Sequence, residues 1–239
     1  MSRSVSITGQ NYCKSDFACR LFDQRPLNID LTPSSILRSL EIFSFGIKKA
    51  MQPTLPEQIE SERLIIRVAQ PGDGAIFNAA VLESLDRLSP WLGWVSPPPT
   101  QAQSEESCRR AYARFLLNED LMAFFLLKSN GALVGGSGFH DANWDTRCFE
   151  VGYWGHASHA GQGLITEGVA ALADYALNVL NASRVFLTTD ERNEASWRLA
   201  ERAGFELEGV LRNERRNLAG ELRNTRVYAR IGESQAVVK

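Results

Sequence analysis

The sequence predicts one α/β domain of about seven strands and four helices, preceded by a segment of different character. Three observations carry this. Across residues 61–231, apolar residues switch between a period of two and a period of three to four, in the order strand, two helices, three strands, helix, strand, helix, two strands. Asn130-Gly131, the dipeptide best suited to a two-residue hairpin turn, separates two apolar runs. Gly161 and Gly163 lie between a strand pattern and a helix pattern.

Residues 63–69 alternate, with Leu64, Ile66 and Val68 on one face of a half-buried strand. The turn Pro71-Gly72-Asp73-Gly74 leads to a helix over 75–85, with Ile76, Ala80 and Leu85 at helical spacing. A loop rich in Trp and Pro fills 89–99. The spacing then predicts a helix over 101–118, turning Ala111, Phe115 and Leu116 inward. Residues 121–128 are apolar almost throughout, as in a strand covered on both faces, and 132–139 return beside them. A further strand over 148–154 sets Phe149, Val151 and Tyr153 on one face and Cys148, Glu150, Gly152 and Trp154 on the other. From the glycine turn a helix runs to about Asn181, lined by Ile165, Val169, Leu172, Ala176 and Leu180. Residues 184–189 form a strand, and Asn193 caps a helix that ends at Gly204. Strands over 205–212 and 221–230 close the domain, and no internal repeat is present.

The composition bounds the function. The chain has 239 residues, 44% hydrophobic and 23% charged, with a net charge of −2. That is the balance of a globular protein without bulk attraction to nucleic acid or an anionic membrane. No apolar run approaches the ~20 residues of a membrane span. Cys13, Cys19, Cys108 and Cys148 form no C-x-x-C pair and no metal-ligand spacing with histidine, so reduced thiols in a cytoplasmic protein are expected. Arg3, Lys14, Asp16, Arg20 and Asp23 stand where a secretory signal would be apolar. Residues 1–58 read as a tail or linker outside the domain of 61–233, in part disordered, with a short helix over 34–49. Met51 as the true start fits the same pattern. Arg212, Arg215, Arg216, Arg223, Arg226 and Arg230 are interleaved with Glu206, Glu208, Glu214 and Glu221, which reads as a solvated hairpin rather than a nucleic-acid surface.

The strand-to-helix turn is where ligand chemistry is expected. A helix N-terminus offers unpaired N–H groups and about half a positive charge, and glycine lets a ligand approach the backbone. That suits a pyrophosphate. The P-loop pattern is absent, and G-x-G-x-x-G fails at Thr166. On the glycines alone, an ordinary strand-to-helix turn fits as well.

The ordered set E-R-L-I-I-R from Glu62, P-W-L-G-W from Pro90, E-V-G-Y-W from Glu150, A-G-Q-G-L-I-T-E-G from Ala160, N-E-A-S from Asn193 and L-A-E-R-A-G-F-E-L-E-G from Leu199 resembles the GNAT superfamily. It is most similar to the branch that includes acetyltransferases of ribosomal-protein N-termini. The resemblance implies a mixed, mostly antiparallel sheet splayed in the middle, with acetyl-CoA as cosubstrate; His140, His156 and His159 are too scattered to be metal ligands, so no metal is expected. The pantetheine would pair with the strand backbone at Val151 and Tyr153. The pyrophosphate would meet Gly161, Gln162, Gly163, Leu164 and Ile165, and Asn193 would reach the pantetheine arm. Ala160 stands where the family motif has Gln or Arg, and Gly168 where Ala is common; the latter costs ~1 kcal/mol of helix propensity.

The implied reaction moves an acetyl group to a primary amine by direct attack in a ternary complex. The acceptor is a small molecule or a protein N-terminus, and the enzyme a monomer or homodimer. Glu150 is the candidate general base; an ion-paired strand glutamate is the alternative. Ser196 either meets the CoA sulfur or makes a helix-start hydrogen bond. Backbone N–H groups near Val151 to Tyr153 would hold the oxyanion. No tyrosine lies between Asp190 and Gly204 to serve as general acid. Trp91 and Trp94 either shape the acceptor site or simply pack on the sheet, and His140 either lines the cleft or sits in a solvated loop. A non-catalytic acyl-CoA-binding module would keep the glycines and Asn193 but need no base.

Overall fold

A computed structural model of the chain describes residues 54–232. Eight strands run β1 (Gln58–Glu60), β2 (Leu64–Val68), β3 (Leu121–Leu127), β4 (Leu133–Asn143), β5 (Cys148–Gly155), β6 (Arg184–Asp190), β7 (Glu206–Arg216) and β8 (Leu222–Ile231). The helices are α1 (Gly74–Glu83), α2 (Leu85–Leu88), α3 (Gln101–Leu116), α4 (Leu164–Asn178) and α5 (Glu194–Arg202). None is long and apolar enough to cross a membrane among the described residues. Cys13, Cys19, the predicted helix at 34–49 and most of the tail lie outside the described residues.

The sheet has the order β1-β2-β3-β4-β5-β6-β8-β7. Every neighbouring pair is antiparallel except β5 and β6. That parallel pairing is short: Cys148 opposite Arg184, Phe149 opposite Val185, and Glu150 opposite Phe186. Beyond it the strands diverge, which is the splay that the resemblance implied.

Alternation along the central strands feeds two cores, because successive side chains point to opposite faces. Leu121, Ala123, Phe125, Phe149 and Val151 join Leu164, Val169 and Leu172 of α4. Met122, Phe124 and Trp154 join Phe77, Val81 and Cys108 from α1 and α3. Burial pushes the Cys108 thiol up to about 12, so it is an inert packing group. Thr100 and Gln103 form a reciprocal capping box at the start of α3.

Four expectations need correction. Leu55, within the segment read as tail, is 4% exposed, and residues 58–60, at its end and in the gap before residue 61, pair with β2; a three-residue strand is too short to show a period. The helix predicted over 75–85 breaks at Ser84, where its hydroxyl donates to the Ala80 carbonyl. Leu116 of α3 is 66% exposed, while Ser104, Ser107 and Cys108 face inward. Gly168 is not merely a poor helix former: a Cβ there would stand 2.4 Å from Phe125 Cε2, so its absence lets α4 lie close on β3.

Candidate active site

A cleft of about 840 Å³ opens where β5 and β6 part. Its walls are the diverging ends of the two strands, the turn into α4 and one face of α5. The sheet register ends at Glu150, so the edges of 151–155 and 187–190 that face each other have no strand partner. An extended ligand can therefore hydrogen-bond there as an added strand would.

Each end of the cleft has its own chemistry. At one end, Gly161 and Gly163 adopt φ of 77° and 74°, a region that side chains disfavour, and they wrap the chain around the N-terminus of α4. The first bond of α4 runs from Glu167 N to Gly163 O. The N–H groups of Leu164, Ile165 and Thr166 thus lack intrahelical acceptors and suit an anion. A Cβ at Gly161 would meet nothing within 4 Å, so the cradle is open to a ligand.

This turn is clamped by the residues just before β2. Arg63 donates from Nε to Glu167 at 2.6 Å and from Nη1 to the Gln162 carbonyl at 3.1 Å. Ser61 Oγ and Arg63 N also donate to Glu167. Burial opposes the charge on Glu167, but these hydrogen bonds outweigh it and hold the carboxyl below its usual range. A second anchor comes from α1, where Glu83 faces His156 Nε2 at 3.0 Å and Ser84 Oγ accepts from Ala157 N at 2.9 Å. The sequence signalled Arg63 only as part of a motif, with nothing to show that it grips a turn 99 residues away.

At the other end, Glu150 lines the cleft at the last paired position of β5 and accepts a hydrogen bond from Thr188 Oγ1 at 3.3 Å. Three residues further along β5, Tyr153 donates its hydroxyl to the Ser196 carbonyl at 2.8 Å and lies 3.0 Å from Ser196 Oγ. Withdrawal from water pushes the Tyr153 phenol above its ordinary value, against the lowering effect of the Ser196 bond. It therefore stays protonated and able to donate at neutral pH. Tyr153 arrives from β5, outside the stretch from Asp190 to Gly204 in which the sequence has no tyrosine. Asn193 Oδ1 accepts from Ser196 N at 3.2 Å, so the N-cap is formed, and Asn193 also lines the cleft. Asp190 N-terminal to it binds Arg192 N at 2.9 Å and so shapes the turn into α5.

The structure brings Val151, Tyr153, Gly161, Gln162, Gly163, Leu164, Ile165, Asn193, Glu150, Ser196 and Trp91 to this one cleft. It does not bring Trp94 or His140 there. Trp94 is 8% exposed and packs its ring 5.9 Å from Phe77, so it belongs to the core beneath α1. Trp91, 38% exposed, is the indole that reaches the cleft. His140 is neither loop nor cleft: β4 runs past Phe139 to Asn143, and His140 is 7% exposed beside Asp120. Among the described residues no group of three or more His, Cys, Asp or Glu is arranged to hold a metal ion.

A glycine cradle for a pyrophosphate, joined to strand edges that can pair with pantetheine amides, fits acetyl-CoA. Comparison with known proteins agrees. The acetyltransferase (GNAT) domain family matches residues 63–206. The Bacillus subtilis protein YdaF is 29% identical over 157 residues, covering 64% of this chain and 83% of its own. The ribosomal-protein-serine acetyltransferase of Escherichia coli is 30% identical over 147 residues, covering 61% of this chain and 82% of its own. Among solved structures, RimL, a ribosomal L7/L12 α-N-protein acetyltransferase in complex with coenzyme A, superposes with a TM-score of 0.67 at 23% identity, covering 74% of this chain and 98% of its own. The chain belongs to the GNAT acetyltransferase family and is an acetyl-CoA-dependent N-acetyltransferase.

Proposed function

We propose that the acceptor is the α-amine of a protein N-terminus, and that the protein acts in the cytoplasm. The observation that carries this is the position of Glu150, which lines the cleft where the strand edges begin to diverge, while the other carboxylate of the lining, Asp190, is held by Arg192. An α-amine, with an ordinary pKa of about 7.7–8.0, needs little help to become neutral, whereas lysine at about 10.4 needs far more. One glutamate is sufficient base for the first. The relatives named as ribosomal-protein acetyltransferases, which cover most of their own length in this chain, favour the same acceptor class.

Glu150 takes a proton from the acceptor ammonium, leaving the nitrogen lone pair to attack the thioester carbon. Backbone N–H groups of 151–153 on the free edge of β5 stabilise the developing oxyanion. Tyr153, held in line by Ser196, supplies a proton to the departing thiolate, and the second proton lost by the tetrahedral nitrogen restores the Tyr153 hydroxyl. Gly161 to Ile165 grip the pyrophosphate, and Trp91, which also lines the cleft, shapes the acceptor site.

Free thiol release is to be measured for a panel of N-terminal peptides, polyamines and amino sugars. Peptides with a free α-amine are expected to give the highest kcat/KM, and the same peptides blocked at the N-terminus none. A small amine that surpasses every peptide would overturn the acceptor class.

A further inference from the structure

We propose that His140 and Asp120 form a proton relay behind Glu150, which passes the amine proton from the cleft to a small polar cavity under α3; this rests on Glu150 being the general base. The relay is laid out by sheet register. His140 of β4 lies directly opposite Glu150 of β5, the last regular pair before the bulge in β4. Leu121 lies opposite Phe139, which sets Asp120, one residue earlier, against His140. Opposed side chains share a face, with Cβ atoms about 4.5–5.5 Å apart. A carboxylate, an imidazole and a second carboxylate thus form one row across three strands. Asp120 Oδ1 stands 3.7 Å from His140 Nδ1. Its other oxygen, Oδ2, is held at 2.9 Å by Arg114 Nη1 from α3.

The row joins two separate spaces. Glu150 lines the large cleft. His140 and Asp120, each 7% exposed, line a cavity of about 30 Å³ with Ser107, Arg110, Arg114 and Met122. That is room for a water molecule, which needs roughly 10–15 Å³ of such volume, and the lining is polar enough to hold one. The charged groups facing His140 are Glu150 from β5, Asp120 before β3, and Arg110 and Arg114 from α3.

This arrangement meets a requirement of the reaction. Substrates that fill the cleft exclude water from the side on which Glu150 took its proton. Glu150 must still be a carboxylate for the next turnover. The amine N–H bond breaks and the proton goes to a Glu150 oxygen. That O–H proton then passes to the unprotonated ring nitrogen of His140, restoring the carboxylate. The imidazolium, steadied by Asp120, releases the proton to water in the cavity. One proton travels from amine to solvent and nothing is oxidised or reduced. His140 and Asp120 touch neither substrate, so they are positioning and relay residues.

The test compares His140→Asn, Asp120→Asn, Glu150→Gln and the Glu150→Gln/His140→Asn pair. His140→Asn should lower kcat by about 10²-fold, the low end for a proton-transfer residue, with acetyl-CoA affinity and KM nearly unchanged. The loss should shrink as pH rises and the amine arrives neutral. In the pair, His140→Asn should add almost nothing to the loss from Glu150→Gln. His140→Ala, which enlarges the cavity, should regain rate with added imidazole. If His140→Asn melts far below the wild type, His140→Ala with and without imidazole gives the same answer within one protein. A wild-type kcat in His140→Asn beside a slow Glu150→Gln overturns the relay alone. A wild-type rate in Glu150→Gln removes the base and the relay together. A uniform loss without pH dependence or imidazole rescue marks the His140–Asp120 pair as structural only.

Discussion

Gly163→Val separates folding from cofactor binding at one residue. The native φ of 74° is left-handed, which costs a side-chain-bearing residue about 1–2 kcal/mol. For a domain of this size each kcal/mol lowers Tm by about 2–4 °C, so a drop of roughly 2–8 °C is expected from strain alone. The protein itself offers little further resistance, because the nearest atom to a Cβ is Arg63 Nη2 at 3.7 Å. The branched side chain adds bulk at a position that lines the cleft, beside the Arg63 clamp. Calorimetric titration with acetyl-CoA, well below the mutant's Tm, should show at least a tenfold weaker Kd, about 1.4 kcal/mol. Gly72→Ala is the control. Its φ of 101° imposes the same kind of strain with nothing within 4 Å, in a turn that does not line the cleft. It should lower Tm and leave Kd alone. A folded Gly163→Val protein that binds acetyl-CoA as the wild type does would refute the cradle.

Further outcomes follow from single contacts. Tyr153→Phe removes the hydroxyl bonded to Ser196 and should reduce kcat roughly 10²-fold with acetyl-CoA Kd unchanged, whereas an unaltered kcat would remove Tyr153 as the acid. Gly168→Ala should destabilise by about 1–3 kcal/mol through its clash with Phe125, although helix propensity alone predicts a gain; urea denaturation reads the sign. A chain beginning at Met51 should melt as the full chain does. One beginning at Ser61 loses β1 and buried Leu55, worth about 1.5–3 kcal/mol, and should melt lower; equal melting of the two would place Leu55 outside the cooperative unit.

How much of this was legible in the sequence depended on whether a contact is local. Strands β3, β5 and β6 declared themselves through unbroken or alternating apolar runs, and Asn193 and Gly204 through local capping chemistry. The glycine turn was visible for the same reason: a φ that only glycine tolerates leaves a mark in the residue itself. What stayed hidden was long-range. Alternation on β5 grouped Tyr153 with Phe149 and Val151 as core, and that assignment is correct for its ring. Its hydroxyl acquires a role only because α5, whose Ser196 is 43 residues away, packs over the strand end.

Trp91 and Trp94 make the same point from the other side. Three residues apart in one loop, they looked alike, and a short 3-10 turn over Gly93–Val95 sends them apart, one into the core and one to the cleft. His140 was misplaced by element length. Ending the strand at Phe139 makes the histidine a loop residue exposed to water. Extending β4 to Asn143 makes it a buried member of a three-strand row. Nothing in residues 140–143 marks the continuation, since their apolar period has already lapsed. The strand persists because β5 supplies Glu150 as a partner at one edge and β3 approaches at the other. A titratable group kept in a strand at that position costs burial energy that an apolar residue would not. Its place directly opposite Glu150, which lines the cleft, gives that burial a functional meaning.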